Sequence, residues 1–126
     1  MNDKTKTKIL LIEDDPFLID IYTTKLKEKG FKVSVAVDGQ EAIRKVDEEN
    51  PDLALLDIVL PQLDGWEILR KIKSNPKSKD LKVIILSNLG QKEEVEKGLR
   101  LGATKYLIKA HYTASEVVAE INKILK

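Results

Sequence analysis

The chain has no cysteine, one histidine and one tryptophan in 126 residues, and no surplus of charge of either sign. Without cysteine there is no disulfide framework, no thiolate metal site and no cysteine nucleophile. The 22 basic and 21 acidic residues leave a formal net charge of +1. That balance argues against binding nucleic acid through bulk electrostatics, so no direct nucleic-acid contact is expected. Long apolar runs are missing as well. The start, MNDKTKTK, is polar, and the first apolar run reaches only from Ile9 to Ile12. Neither a signal peptide nor a membrane span is expected. What remains is the expectation of one cytoplasmic domain over residues 1–126, with its core over about 8–125. A 42% share of hydrophobic residues is enough to build that core.

Short apolar runs alternate with segments of helical period. Ile9-Leu10-Leu11-Ile12, Leu53-Ala54-Leu55-Leu56 and Val83-Ile84-Ile85-Leu86 are continuous, as strands covered on both faces should be. Val33, Val35 and Val37 alternate and suit a peripheral strand, and Tyr106-Leu107-Ile108 makes a short last one. Between them, Asp15-Pro16 opens a helix with Leu18, Ile21, Tyr22 and Leu26 inward, ending near Gly30. Asp38-Gly39 opens a second with Ala42, Ile43 and Val46 inward. Asp64-Gly65 opens a third with Ile68, Leu69 and Ile72 inward, stopped by Pro76. A fourth runs over about Lys92 to Leu101 and ends at Gly102. The fifth starts at a capping box of Thr113 and Glu116, with Tyr112 and Val117 as a hydrophobic staple. Five strand–helix pairs with short links predict an α/β fold, a doubly wound parallel sheet with helices on both faces.

In such sheets ligands bind beyond the carboxyl ends of the strands. The first strand is followed by Glu13, Asp14 and Asp15, the third by Asp57, the fourth by Ser87 and the fifth by Lys109. If the first, third and fourth strands are neighbours, these side chains converge. The acidic loop would repel a bare phosphate, which disfavours a nucleotide or flavin site. Clustered carboxylates call for a cation, and oxygen donors beside a phosphate favour Mg²⁺. Asp57 is then a nucleophile that forms an acyl phosphate without a general base, since an ionised carboxylate attacks directly. Lys109 would offset the charge on the transferring group, and the Ser87 hydroxyl would hold one of its oxygens.

The motifs ILLIEDDP, PDLALLDIVLPQLDGWEIL, VIILSN and LGATKYLIK occur in this order, each at a strand end. From Lys8 to Leu125 the chain resembles the receiver domains of two-component response regulators, of the stand-alone chemotaxis type. The resemblance implies a flavodoxin-like strand order of 2-1-3-4-5. It implies Asp57 as phosphoacceptor and Asp14 as a direct Mg²⁺ ligand, with Glu13 a ligand through water. The Asp57 carboxylate and the Val59 backbone carbonyl would complete the metal site. Ser87 and Lys109 would bind the phosphoryl group, and Ser87 with Tyr106 would act as the switch. A histidine kinase or histidine phosphotransfer protein would be the donor. A downstream protein would read the face built from the fourth helix, fifth strand and fifth helix. The function implied is phosphoacceptor signalling, not enzyme catalysis.

The chain departs from that family's habits in three ways. Asn88 stands where a small residue is common. Ala110 replaces a proline usually preceded by a cis bond, so either the loop is trans or it holds a bond that costs about 3 kcal/mol. Val59 and Leu89 bring apolar side chains to the pocket, which predicts slow access of water and a long-lived phosphoryl state. Phe17 and Ile19 lie beyond the inward face of the first helix and read as core edge or as part of a docking surface for the donor. His111, the sole histidine, reads as a loop residue. The charged run from Lys92 to Lys97 reads as a solvated face, and Gly98 as a point of close packing. Two alternatives stay weaker. An aspartate-nucleophile phosphatase needs a second acid where Val59 stands, and a pseudo-receiver would not need Asp14, Asp57 and Lys109 together.

Overall fold

The computed structural model describes residues 7–60 and 64–125. Positions 61–63 of the second motif, the first six residues and the last one therefore lie outside the described residues. Five strands, β1 (Lys8–Ile12), β2 (Lys32–Ala36), β3 (Leu53–Leu56), β4 (Lys82–Ser87) and β5 (Lys105–Ile108), alternate with five helices. These are α1 (Pro16–Glu28), α2 (Gly39–Glu49), α3 (Gly65–Ser74), α4 (Lys92–Arg100) and α5 (Ala114–Leu125). The sheet is parallel throughout in the order β2-β1-β3-β4-β5, the order the family resemblance implies.

Side chains alternate across each strand, so a strand covered on both faces must be apolar at every position. Leu10, Ile12, Ala54, Leu56, Val83 and Ile85 face α2 and α3, packing with Ala42, Val46, Ile68, Leu69 and Ile72. Ile9, Leu11, Leu53, Leu55, Ile84 and Leu86 face α1 and α5, packing with Tyr22, Leu26, Val117, Val118 and Ile121. Ile21, expected inward, is half-buried and belongs to neither cluster, because α1 meets the sheet through Tyr22 and Leu26, one turn apart.

The helix starts follow the expected cap chemistry. Asp15 accepts from the Phe17 amide at 2.9 Å, Asp38 from Glu41 at 2.9 Å and Asp64 from Glu67 at 3.0 Å. At α5, Thr113 Oγ1 accepts from the Glu116 amide at 3.1 Å while Glu116 accepts from the Thr113 amide at 2.8 Å. Gly30 and Gly102 follow their helices with φ of 91° and 111°, a left-handed region that costs an L side chain dearly.

Strand β2 stops at Ala36, and Val37, expected within it, is exposed. The last pairing there is the Glu13 amide donating to the Ala36 carbonyl at 3.0 Å, after which Asp38 caps α2. β2 is an edge strand, and on its free side the Lys45 ammonium donates to the Val35 carbonyl.

Candidate functional site

Parallel registration brings the strand ends level. Ile12 is opposite Leu56, Leu56 opposite Ile85, and Ser87 opposite Ile108. The residue after each strand therefore opens onto one place. Glu13 and Asp57 are buried there, as is Ser87, while Asp14 is exposed. The main chain holds the two acids in place: the Asp57 amide donates to the Ile12 carbonyl at 3.0 Å, beside the Glu13–Ala36 bond.

Lys109 reaches in from the first residue of a 3-10 turn (Lys109–His111) that follows β5. Its ammonium donates to Asp57 Oδ2 and to Glu13 Oε2, each at 3.0 Å. The other Asp57 oxygen accepts from the Val59 amide at 3.1 Å, and the other Glu13 oxygen from the Asp15 amide at 3.3 Å. Burial pulls the Lys109 ammonium down, but Asp57 and Glu13 outweigh it and hold the group above the ordinary lysine value. Glu13 stays above the usual carboxylate range, first because it is buried and next because Asp57 repels its charge; Lys109 offsets only part of this. One cation therefore serves two buried acids.

Glu13, Asp14 and Asp57 each offer a carboxylate oxygen, and these oxygens lie within 4.8 Å of one another. The set contains only hard oxygen donors and carries an unrelieved negative excess, which suits a divalent cation of the Mg²⁺ kind. Asp15 is taken up as the α1 cap and is not one of the three.

Ser87 Oγ accepts from the Leu89 amide at 3.2 Å, and the Tyr106 hydroxyl donates to the Leu89 carbonyl. The two expected switch side chains are thus joined through the main chain of one residue. Leu89 was singled out by sequence for its side chain, yet it is its backbone that carries this link. Burial raises the Tyr106 hydroxyl above its ordinary value, and the neighbouring Ser87 hydroxyl lowers it in part. The mouth of the pocket carries Val59, 60% exposed, with Asn88 exposed and Leu89 half-buried. Among the described residues no peptide bond is cis, so Lys109–Ala110 is trans and the loop turns as a single 3-10 step.

Two contributors escape a reading of sequence. Gly65 looks like a helix opener, but a Cβ there would lie 2.4 Å from Ile58 Cα and 2.7 Å from the Asp57 carbonyl oxygen. Its amide donates to the Ile58 carbonyl at 2.7 Å, so α3 starts pressed against the loop that bears Asp57. Tyr22, on the inner face of α1, has its phenol pushed up by burial and also feels the charges of Lys109 and Glu13. Of the two residues proposed for docking, Ile19 packs against the core and only Phe17, 72% exposed, is free at the surface.

The family model for the response regulator receiver domain matches residues 9–122. The chain belongs to that family. A probable transcriptional regulator, ycf27 of Guillardia theta, is 35% identical over 98% of this chain and 47% of its own length. The activated receiver domain of Klebsiella pneumoniae RstA superposes with a TM-score of 0.86 at 28% identity, covering 95% of this chain and 99% of that one. The Mn²⁺-bound response regulator Rcp1 gives a TM-score of 0.83 at 28% identity, covering 94% of each. This receiver domain therefore serves two-component signalling and is phosphorylated on aspartate. The chain spans about half the length of most curated relatives it matches, and those are chiefly transcriptional regulators, one described as DNA-binding. The narrower expectation of a stand-alone chemotaxis type is not confirmed by relatives that are mostly transcriptional regulators. Nor do they support the expectation of no contact with nucleic acid.

Proposed function

We propose that Asp57 is the phosphorylated aspartate, with a phosphohistidine on a histidine kinase or phosphotransfer protein as the donor. The observation that carries this is Lys109 bridging buried Asp57 and Glu13 at the strand ends, with buried Ser87 on the neighbouring strand. An Asp57 oxygen attacks phosphorus, the O–P bond forms, and the P–N bond breaks with its electron pair leaving on the imidazole. No base is needed, because a carboxylate has no proton to shed as it attacks. Charge then builds on the phosphoryl oxygens. The Lys109 ammonium is at hand to meet it, and the Ser87 hydroxyl turns from accepting the Leu89 amide to donating to a phosphoryl oxygen.

Glu13, Asp14, Asp57 and the Val59 carbonyl would hold Mg²⁺. When bound, Mg²⁺ supplies positive charge beside the same oxygens and relieves the repulsion among the carboxylates. In this reading the chain assists only its own phosphorylation and dephosphorylation. Movement of Ser87 is passed through Leu89 to Tyr106 and so to the face formed by α4, β5 and α5, where a downstream protein binds. Support for that route is the pair of hydrogen bonds meeting at Leu89.

The test is incubation with Mg²⁺ and a small acyl phosphate, followed by intact mass. A phosphate-mass adduct is expected in the parent protein and absent in Asp57→Asn. A folded parent protein that forms no adduct overturns the assignment.

A further inference from the structure

Helix α4 covers the sheet over Ile85 and Tyr106, neighbours in register on β4 and β5. Its one buried residue is Gly98. A Cβ at that position would stand 2.8 Å from Ile85 Cδ1, 2.8 Å from Tyr106 Cδ2 and 3.3 Å from Tyr106 Cε2. The helix therefore rests on the tyrosine ring through a bare Cα, with the hydroxyl end of that ring bonded to the Leu89 carbonyl ahead of the helix. Elsewhere α4 is poorly anchored: Leu99 is 46% exposed, and Val95 is only half-buried. Glycine inside a helix costs about 1 kcal/mol relative to alanine, so its presence here needs a packing reason. One further side-chain tie crosses to another helix. The Lys97 ammonium lies 4.5 Å from the centre of the Trp66 ring on α3.

We infer that Gly98 is a positioning residue: it lets the Tyr106 ring lie beneath α4, and ring and helix form one unit whose seating is sensed at Trp66 through Lys97. A helix seated through one glycine on the Tyr106 ring and Ile85 has two ways to sit, over the ring or displaced when the ring leaves. Displacement breaks the Lys97–Trp66 contact, because Lys97 and Gly98 are adjacent on the same helix. The inference rests on the proposed switch role of Tyr106, and it adds to that role the residue that sets the ring and the helix that follows it.

Trp66 is the only tryptophan, so the emission comes from this one ring, and the Lys97→Met background isolates the part that depends on the contact. Spectra are taken without phosphodonor for the parent protein, Lys97→Met, Gly98→Ala and Tyr106→Ala, and for the last two in the Lys97→Met background. Gly98→Ala and Tyr106→Ala are expected to shift emission in the direction of Lys97→Met, and to add nothing once Lys97 is gone. In Tyr106→Ala, where the ring is absent, Gly98→Ala is expected to raise the melting temperature instead of lowering it. Unchanged emission in Gly98→Ala, or the same thermal shift with and without the Tyr106 ring, overturns the inference. Should Gly98→Ala fail to fold, Tyr106→Ala alone decides, since unchanged Trp66 emission there has the same force. Adding Mg²⁺ and acyl phosphate separates the two levels. Absence of an adduct counts against the phosphoacceptor reading, whereas an adduct with unmoved Trp66 emission counts against this one.

Discussion

Lys109 and Asp57 are 52 residues apart in sequence, yet their side chains meet at 3.0 Å and are only 15% and 8% exposed. The same ammonium also answers Glu13, which nevertheless remains raised, first by its burial and next by the charge of Asp57. An acid raised above its unfolded value of 4.5 binds its proton more tightly in the folded chain. Its effect on stability is therefore most favourable below the unfolded value and fades as pH rises through the folded one. Denaturant titrations in EDTA should show Glu13→Gln losing this part of the pH profile. Relative to the parent protein, the variant should gain stability as pH rises above 4.5; parallel profiles would refute it.

Gly65 is held against immovable atoms, since the nearest neighbours of an added Cβ are main-chain atoms of Asp57 and Ile58. Gly65→Ala should destabilise by about 1–3 kcal/mol, even after the gain that alanine brings to a helix. Because the strained loop carries Asp57, phosphorylation by acyl phosphate should slow as well. A variant as stable as the parent would show that the loop yields freely.

Asp14 is exposed, so Asp14→Asn should alter the stability of the metal-free protein by less than about 0.5 kcal/mol. Mg²⁺ at a hundredfold excess over its dissociation constant should stabilise the parent by about 2.7 kcal/mol. At the same concentration the variant should gain far less. Calorimetric melts with and without Mg²⁺ measure both, and equal gains would remove Asp14 from the metal site.

Val59 presents an apolar side chain at the pocket mouth that offers water nothing to bond. Val59→Asn supplies an amide NH₂ that donates and a carbonyl that accepts there. A single hydrogen bond to the attacking water, worth about 1 kcal/mol, corresponds to roughly fivefold faster dephosphorylation. Following loss of the phosphate mass with time measures this, and an unchanged rate would mean that Val59 does not govern access.

The sheet was readable because strands buried on both faces leave unbroken apolar runs, and Asp15, Asp38, Asp64 and Thr113 announce helix starts by chemistry local to a few residues. The convergence of Glu13, Asp57, Ser87 and Lys109 followed from their positions at strand ends once the strand order was known. What escaped depends on distances between remote segments. Nothing around Gly65 reveals that its Cα faces the main chain of Ile58, and no pattern shows the Leu89 backbone joining two hydroxyls. Val37 misled because alternation continues past the point where β2 runs out of partners. Ile19 looked surplus to α1 and yet packs on the core.

A protein that is docked and released repeatedly must offer surfaces to others without offering an open sheet. The outer strand β2 has unpaired main-chain groups, the kind of template on which a foreign strand can grow. Lys45 occupies the Val35 carbonyl on that side and leaves a charged amine in the way of an arriving chain. Self-polymerisation is thereby discouraged at the edge farthest in strand order from β5. Under the proposed function, association is left to the pocket and to the helical face, where it can be controlled.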